Sequence, residues 1–385
     1  MGRQSRIRKE PVMDEGTTWV GLDVHKERIF VAMLRPGGKT PIEWEMAHTV
    51  QELRRLARKL LRESGGDVVC CYEAGACGFA PQRVLVQHGV RCLVIAPSLI
   101  PIKPGERIKT DRRDARKLVM HLRAGNLTEV HPPTTDEEAV RDLCRCREDV
   151  RQDLMRGRHR LGKLLLRCGL VYGEGRAWTA KHRQWVRSVQ LEHAAAQAVF
   201  KDYLLAIEQM EERLKAVEAA LAECAAQEPY RTPVGWLRCL RGIETVTAMT
   251  IVAELFNFRR FTSPRELMAY LGLVPSEHTS FPRQQRGAIT KAGNTHVRRV
   301  LVEAAWHYQH RPGVSMDLAR RRRGQPAWVI AVADRAQTRL HRRYMRLAYG
   351  RGKHKNTAVV AVARELVGFI WVILSHPFDD AQVAA

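Results

Sequence analysis

The sequence predicts an α/β domain of mixed sheet with helices on its faces, followed by a helical middle and a mainly helical last third. Three observations carry this. Three extended runs follow one another near the N-terminus, and helical and extended patterns then alternate. From Thr135 onward the period becomes that of helices, interrupted by one polar, glycine-containing segment. The expected divisions are 17–133, 134–229 and 230–385.

In the first division, Val20-Gly21-Leu22-Asp23-Val24 reads as a strand, followed after a tight turn by Arg28 to Leu34 and then by Thr40 to Met46. A helix is expected from Val50 to about Glu63, with Leu53, Leu56, Leu60 and Leu61 on one face and Ser64-Gly65-Gly66 as its stop. Asp67 to Tyr72 is a continuous apolar run, as in a strand covered on both sides. A helix around Pro81 to His88 and a second buried strand, Arg91 to Ala96, follow. After the proline-rich stretch from Pro97 to Lys109, Thr110 or Asp111 can cap a helix running to about Ala124.

Four acids stand out. Asp23 and Glu73 each end an apolar strand, where chemistry gathers in sheets of this class. Asp111 and Asp114 are three apart and share one helix face. Singly, each has an ordinary explanation as a turn residue or as a dipole partner in a first helical turn. Together they could hold two divalent ions, which need several converging carboxylates. Lys109, Arg112 and Arg113 are among the nearby cations suited to a phosphate backbone.

The middle opens with a helix from Thr135 to Arg167, with three acids in its first turn and nine Lys or Arg against four acids from Arg141 on. In a second helix, about Leu191 to Ala226, apolar residues recur from Phe200 to Cys224 at alternating spacings of three and four, a coiled-coil seam. The pair reads as an α-hairpin that packs on itself or on another protomer.

In the last division, Leu237 to Ala248 resembles a helix-hairpin-helix, whose turn at Arg241-Gly242 would offer backbone N–H groups to DNA. Ser263-Pro264 caps a short helix, Arg265 to Leu271. Gly272 to Asn294 reads as a loop rich in hydroxyls and cations, including Ser280, Arg286 and Lys291. It leads into a helix from Thr295 that carries Arg298 and Arg299. Arg298 to Lys355 holds 15 Lys or Arg against three acids, with aromatics interleaved that would suit stacking on nucleic-acid bases or simply fill a core.

Composition narrows the class. The 385 residues carry 64 Lys or Arg and 41 Asp or Glu, a net charge of +23. A globular chain this basic meets a polyanion, with DNA or RNA ahead of an anionic membrane surface. The nine cysteines do not form paired CxxC knuckles, and several that lie in apolar runs are expected as reduced core residues. No secretory signal is read at the N-terminus, and the apolar run Leu366 to Leu374 is too short to span a bilayer, so a cytoplasmic, nucleoid-associated protein is expected.

Gly-Leu-Asp-Val-His-Lys at 21–26, Tyr-Glu-Ala-Gly at 72–75 and Lys-Thr-Asp-Arg-Arg-Asp-Ala at 109–115 resemble the Asp-Glu-Asp-Asp signature of bacterial insertion-sequence transposases of the one-ten family. This group includes the Piv DNA invertase and bridge-RNA-guided recombinases. The resemblance spans nearly the whole chain. It implies a RuvC-like, RNase H-like first domain in which Asp23, Glu73, Asp111 and Asp114 bind two Mg²⁺, or Mn²⁺. It also implies a serine nucleophile in the second domain, and Ser280 matches by position. Members commonly carry Gly after that serine, whereas Phe281-Pro282 follows here, and Thr279 and Ser276 are the other hydroxyls within reach. A structured guide RNA, double-stranded DNA at element ends and target, and a homo-oligomer (dimer or tetramer) complete the implied set. The expected activity is DNA strand exchange through a phosphoserine intermediate in a composite site. The alternatives are a junction-resolving nuclease using water and a non-catalytic nucleic-acid scaffold.

Overall fold

The structure is a computed structural model that describes residues 16–101, 110–280 and 283–376. The chain divides into two compact units, residues 1–134 and 135–385.

The first unit is built on a six-stranded sheet of order β3-β2-β1-β4-β5-β6. Its strands are β1 (Thr18–Val24), β2 (Arg28–Leu34), β3 (Ile42–Ala47), β4 (Val68–Glu73), β5 (Arg91–Ile95) and β6 (Glu129–Val130). β1 pairs antiparallel with β2 and parallel with β4, and β4 runs parallel to β5. The mixed sheet with helices on both faces accords with the RNase H-like expectation. The two-residue β6 carries too short a pattern to be read from sequence.

Strand alternation divides the core into two layers. Val20, Leu22, Cys70 and Tyr72 face α1 (Val50–Ser64) and α2 (Ala80–Gln87). Trp19, Val69, Cys71 and Ile95 face α3 (Asp111–Arg123). The Thr49 hydroxyl caps α1 by accepting from the Glu52 N–H, and Gly65, at φ 63°, ends it. Leu53, Leu56 and Leu60 are buried there as expected, but Leu61 is 46% exposed. It falls one position beyond the stripe that meets the sheet, a correction to the expected face.

In the second unit the long helices α4 (Thr135–Arg167) and α6 (Ala194–Ala225) lie along each other, with a helix not read from sequence, α5 (Ala180–Ser188), between them in the chain. Leu154, Leu161, Phe200 and Ile207 form their shared core, and Arg158–Glu211 and Arg147–Glu218 bridge them. Cys144 and Leu221 join the main core with α7 (Arg231–Leu237) and α8 (Thr245–Leu255). That core also takes in α9 (Pro264–Tyr270), α10 (Thr295–Ala305), α11 (Met316–Arg322), α12 (Ala327–Met345) and α13 (Lys355–Leu374). Among the described helices, α13 alone is long and apolar enough to cross a membrane by composition. Its Val359, Val362, Leu366 and Ile370 are buried within the unit.

The segment expected as a loop contains a β-hairpin, β7 (Pro275–Ser280) and β8 (Arg283–Ile289), with Ser280 opposite Arg283. Polar residues on both faces of these strands give no apolar alternation, so the pairing was hidden in the sequence. The hairpin's root is drawn tight. A Cβ on Gly293, at φ 79°, would collide with the Tyr270 carbonyl oxygen.

Candidate metal and DNA-processing site

The site is built where β1 and β4 end. Their last registered pair is Leu22 with Tyr72, so Asp23 and Glu73 follow side by side at the carboxyl ends of parallel neighbours. Alternation puts both on the face that α3 covers, since Cys71, two residues before Glu73, lies against Leu118 of α3.

Gly21 sets the distance of α3 from that face. A Cβ there would collide with the Ala115 carbonyl oxygen and lie 2.6 Å from the Val119 nitrogen. Only glycine lets the α3 backbone rest directly on β1, and this close seat carries the first turn of α3 toward Asp23. The Thr110 hydroxyl caps α3 by accepting from the Arg113 N–H, which resolves the two capping options in its favour.

Asp23 and Asp111 converge, and His25 stands between them. His25 Nε2 lies 3.0 Å from Asp23 Oδ2 and 3.5 Å from Asp111 Oδ1. Ligand atoms of these three residues all lie within 4.8 Å of one another. Burial pushes the Asp23 carboxyl up, the hydrogen bond with His25 pulls it down, and the charges of Asp111 and Asp114 push it up again. Asp114 therefore contributes to the same field. Among the described residues, His25 is the only ion-pair partner of Asp23 or Asp111. Glu73 is exposed at its strand end and lies outside this closest trio.

Sequence reasoning missed His25 as a member of the trio. The signal was available: it follows Asp23 by two residues at the strand's end, where i and i+2 share a side. A two-carboxylate and imidazole set suits a divalent cation. Among the described residues, no Lys or Arg neutralises the charge of Asp23 and Asp111.

The basic residues expected around nucleic acid divide into two groups. Arg113 and Lys291 are exposed. Arg112 and Arg116 both pair with Glu43, at 3.2 and 2.5 Å. Arg241 donates to the His310 and Arg311 carbonyls, and Gly242, at φ 78°, packs its turn against Ala304 and His307. Arg298 donates to the Leu271 and Ala292 carbonyls, at 2.9 and 3.1 Å, and so ties down the hairpin root. Arg299 pairs with Glu148 and Glu303. Arg241, Arg298 and Arg299 thus hold the fold together where free phosphate contacts were expected, because each lies beside a carbonyl or carboxylate it can satisfy. Lys109 lies outside the described residues. Ser280 ends β7, and Arg286 lies within β8.

Comparison with known proteins finds similarity in both units. Residues 20–169, which include all four acids, match the DEDD_Tnp_IS110 transposase family. Residues 236–318, which include Ser280, match the family described as Transposase IS116/IS110/IS902. The chain is 38% identical to the putative transposase y4qE of Sinorhizobium fredii, over 94% of this chain and 90% of that protein. It is 36% identical to the transposase for insertion sequence element IS1533 of Leptospira borgpetersenii, over 87% of this chain and 98% of that protein. At 22% identity it matches the transposase for insertion sequence element IS1111A of Coxiella burnetii, over 80% of this chain and 78% of that protein. With both family matches in chain order and relatives similar over nearly their full length, the chain belongs to the IS110 family of transposases, DNA-cleaving and strand-transferring enzymes that use a divalent metal.

Proposed function

We propose that the chain exchanges DNA strands through a phosphoserine intermediate, with Asp23, Glu73, Asp111 and Asp114 as ligands of two Mg²⁺ (or Mn²⁺) and Ser280 as nucleophile. The observation that carries the metal reading is the approach of Asp23 and Asp111 with no Lys or Arg pairing either among the described residues. When bound, the metal pair supplies positive charge where negative charge gathers on a phosphodiester in the transition state. Asp23 and Asp111 offer oxygens already gathered on one side of β1, and His25 orients the Asp23 carboxylate by its hydrogen bond. Asp114 or a neighbouring group accepts the Ser280 proton. The serine oxygen bonds to phosphorus as the phosphodiester P–O bond breaks, and the leaving oxygen takes up a proton. Reversal onto another strand restores a phosphodiester without ATP, since the covalent link conserves the bond free energy. The net charge of +23 supports a structured guide RNA as a partner beside DNA, with base pairing reading the DNA sequence. A homo-oligomer, dimer or tetramer, would bring the ends together.

A second reading keeps the carboxylates and uses water as the nucleophile. It is favoured by the match of residues 20–169 to a carboxylate-based family and by Phe281-Pro282 following Ser280.

The deciding experiment incubates the protein with Mg²⁺, RNA co-purified from its native locus and a supercoiled plasmid carrying the element's ends. Mass spectrometry of the digest then looks for a nucleotide on the Ser280 peptide. An adduct that disappears in Asp23→Asn is the expected result. Cleavage that persists in Ser280→Ala with no adduct on any serine or threonine would leave the water-using reading.

A further inference from the structure

Two clefts in the second unit meet along α12. One, of about 1020 Å³, runs between α9, α12 and α13. The other, of about 830 Å³, continues from it to β8, with Gly287, Ala288 and Ile289 in its wall. Arg339, Arg343 and Glu365 line both.

The walls carry a periodic charge. Arg335, Arg339, Arg342 and Arg346 follow one another at spacings of four, three and four, one stripe of a helix. At about 1.5 Å per residue the stripe is roughly 16 Å long, the reach of several successive phosphates. Arg364 and Arg265 extend it beside the hairpin wall. Opposing charge is sparse. Glu365 lies 3.2 Å from Arg339 Nε and 3.4 Å from Arg343 Nε, and Asp334 pairs with Arg322. Arg343 Nε is buried without a hydrogen bond. Among the described residues, Arg335, Arg342 and Arg346 form no ion pair, and all three are exposed.

The floor is apolar. Met268, Phe369 and Val372 line the larger cleft, and Val372 is 43% exposed. A cationic rim over an apolar floor fits a strand whose phosphates follow the rim while bases turn inward onto an aromatic ring. An apolar floor with a partly exposed ring favours unpaired bases over a duplex, whose bases are stacked and paired in its interior.

We propose that this groove holds a single strand of DNA, with its phosphates on the Arg335–Arg346 stripe and a base against Phe369, leading toward the β7–β8 hairpin. The choice of DNA rests on the function proposed above. The groove itself does not depend on whether serine or water attacks.

The test uses the full-length chain and fluorescein-labelled oligonucleotides: single-stranded DNA, the same sequence as duplex, and the same sequence as RNA. Changing Arg335, Arg342 and Arg346 together to Glu, or more mildly to Gln, is expected to weaken single-stranded DNA binding at least tenfold in both variants. The slope of log affinity against log salt should fall by about 2, at about 0.7 for each phosphate no longer neutralised. The three side chains are exposed, so circular dichroism and Tm should stay at wild-type values. Single-stranded DNA affinity within twofold of wild type would overturn the proposal. So would a loss confined to duplex, to RNA or to binding of anionic phosphatidylserine vesicles. Asp23→Asn separates this from the catalytic reading: it should keep strand binding while losing cleavage. Unchanged binding in the triple variants, with cleavage lost in Asp23→Asn, would remove the groove and leave the catalytic function standing.

Discussion

Asp23 and Asp111 in the first unit, and Glu148 and Glu254 in the second, are carboxylates held by opposite means. Glu254 on α8 is buried, accepts two hydrogen bonds from Arg145 at 2.8 and 3.0 Å, and accepts a third from Asn294 at 2.7 Å. Glu148 on α4 is bracketed by Arg151, Gln152 and Arg299. Burial pushes both carboxyls up, but these cations and hydrogen bonds outweigh it and hold Glu148 down at about 2 and Glu254 below its ordinary value. At Asp23 the balance is reversed. Burial and like charges prevail over a single histidine and push the carboxyl up. An acid neutralised by its own chain fastens helices together. Acids gathered without such neutralisation are shaped for a cation from outside.

That contrast can be broken most sharply at Asp23. Asp23→Asn should lower plasmid strand cleavage by at least ~10³-fold, about 4 kcal/mol of barrier, and leave Tm unchanged or raised. A large loss of Tm would place Asp23 with the structural acids.

Glu254→Ala should do the reverse. Removing one partner of a buried pair costs about 3 kcal/mol, toward the lower end because Arg145 keeps solvent access. The measurement is the denaturant midpoint, and Glu254→Gln should recover part of the loss by keeping some of the hydrogen bonds.

Glu148 gives the pH signature. Its folded value of about 2 lies below its ordinary 4.5, so its contribution is complete above pH 4.5 and is lost as pH falls toward 2. The full effect is on the order of 3 kcal/mol. Between pH 5.5 and 3 the wild type should lose Tm more steeply than Glu148→Gln, and equal slopes would refute the assignment.

Gly21→Ala tests how the helix brings the acids together. The added methyl must displace α3, at a cost of about 1–3 kcal/mol. Cleavage should fall further than the loss of folded protein explains, because Asp111 and Asp114 travel with the helix. The smallest effect is expected at His25. His25→Ala should reduce cleavage about 10-fold and raise the Mg²⁺ concentration needed for half-maximal activity.

Much of the first unit was legible because its signals are local. Apolar strands, a capped helix after Thr49 and the helix start at Thr110 are each written within a few residues. The same locality exposed Asp23, Glu73, Asp111 and Asp114 as conspicuous acids at element ends. The β7–β8 hairpin was not legible, since strands polar on both faces have no alternation to betray them. The structural duties of Arg241, Arg298 and Arg299 were equally hidden, because the carbonyls and carboxylates they meet lie far away in sequence.

By itself, then, the sequence determined the order of elements from β1 to α3, the net basic charge and which residue types end the central strands, all set by local propensity and composition. Only the tertiary structure decided that α3 rests on Gly21, that His25 stands between two aspartates and that the α12 arginines form the wall of a groove. Each of these depends on the distance between segments remote in the chain, and that distance is fixed by packing, which no local pattern records.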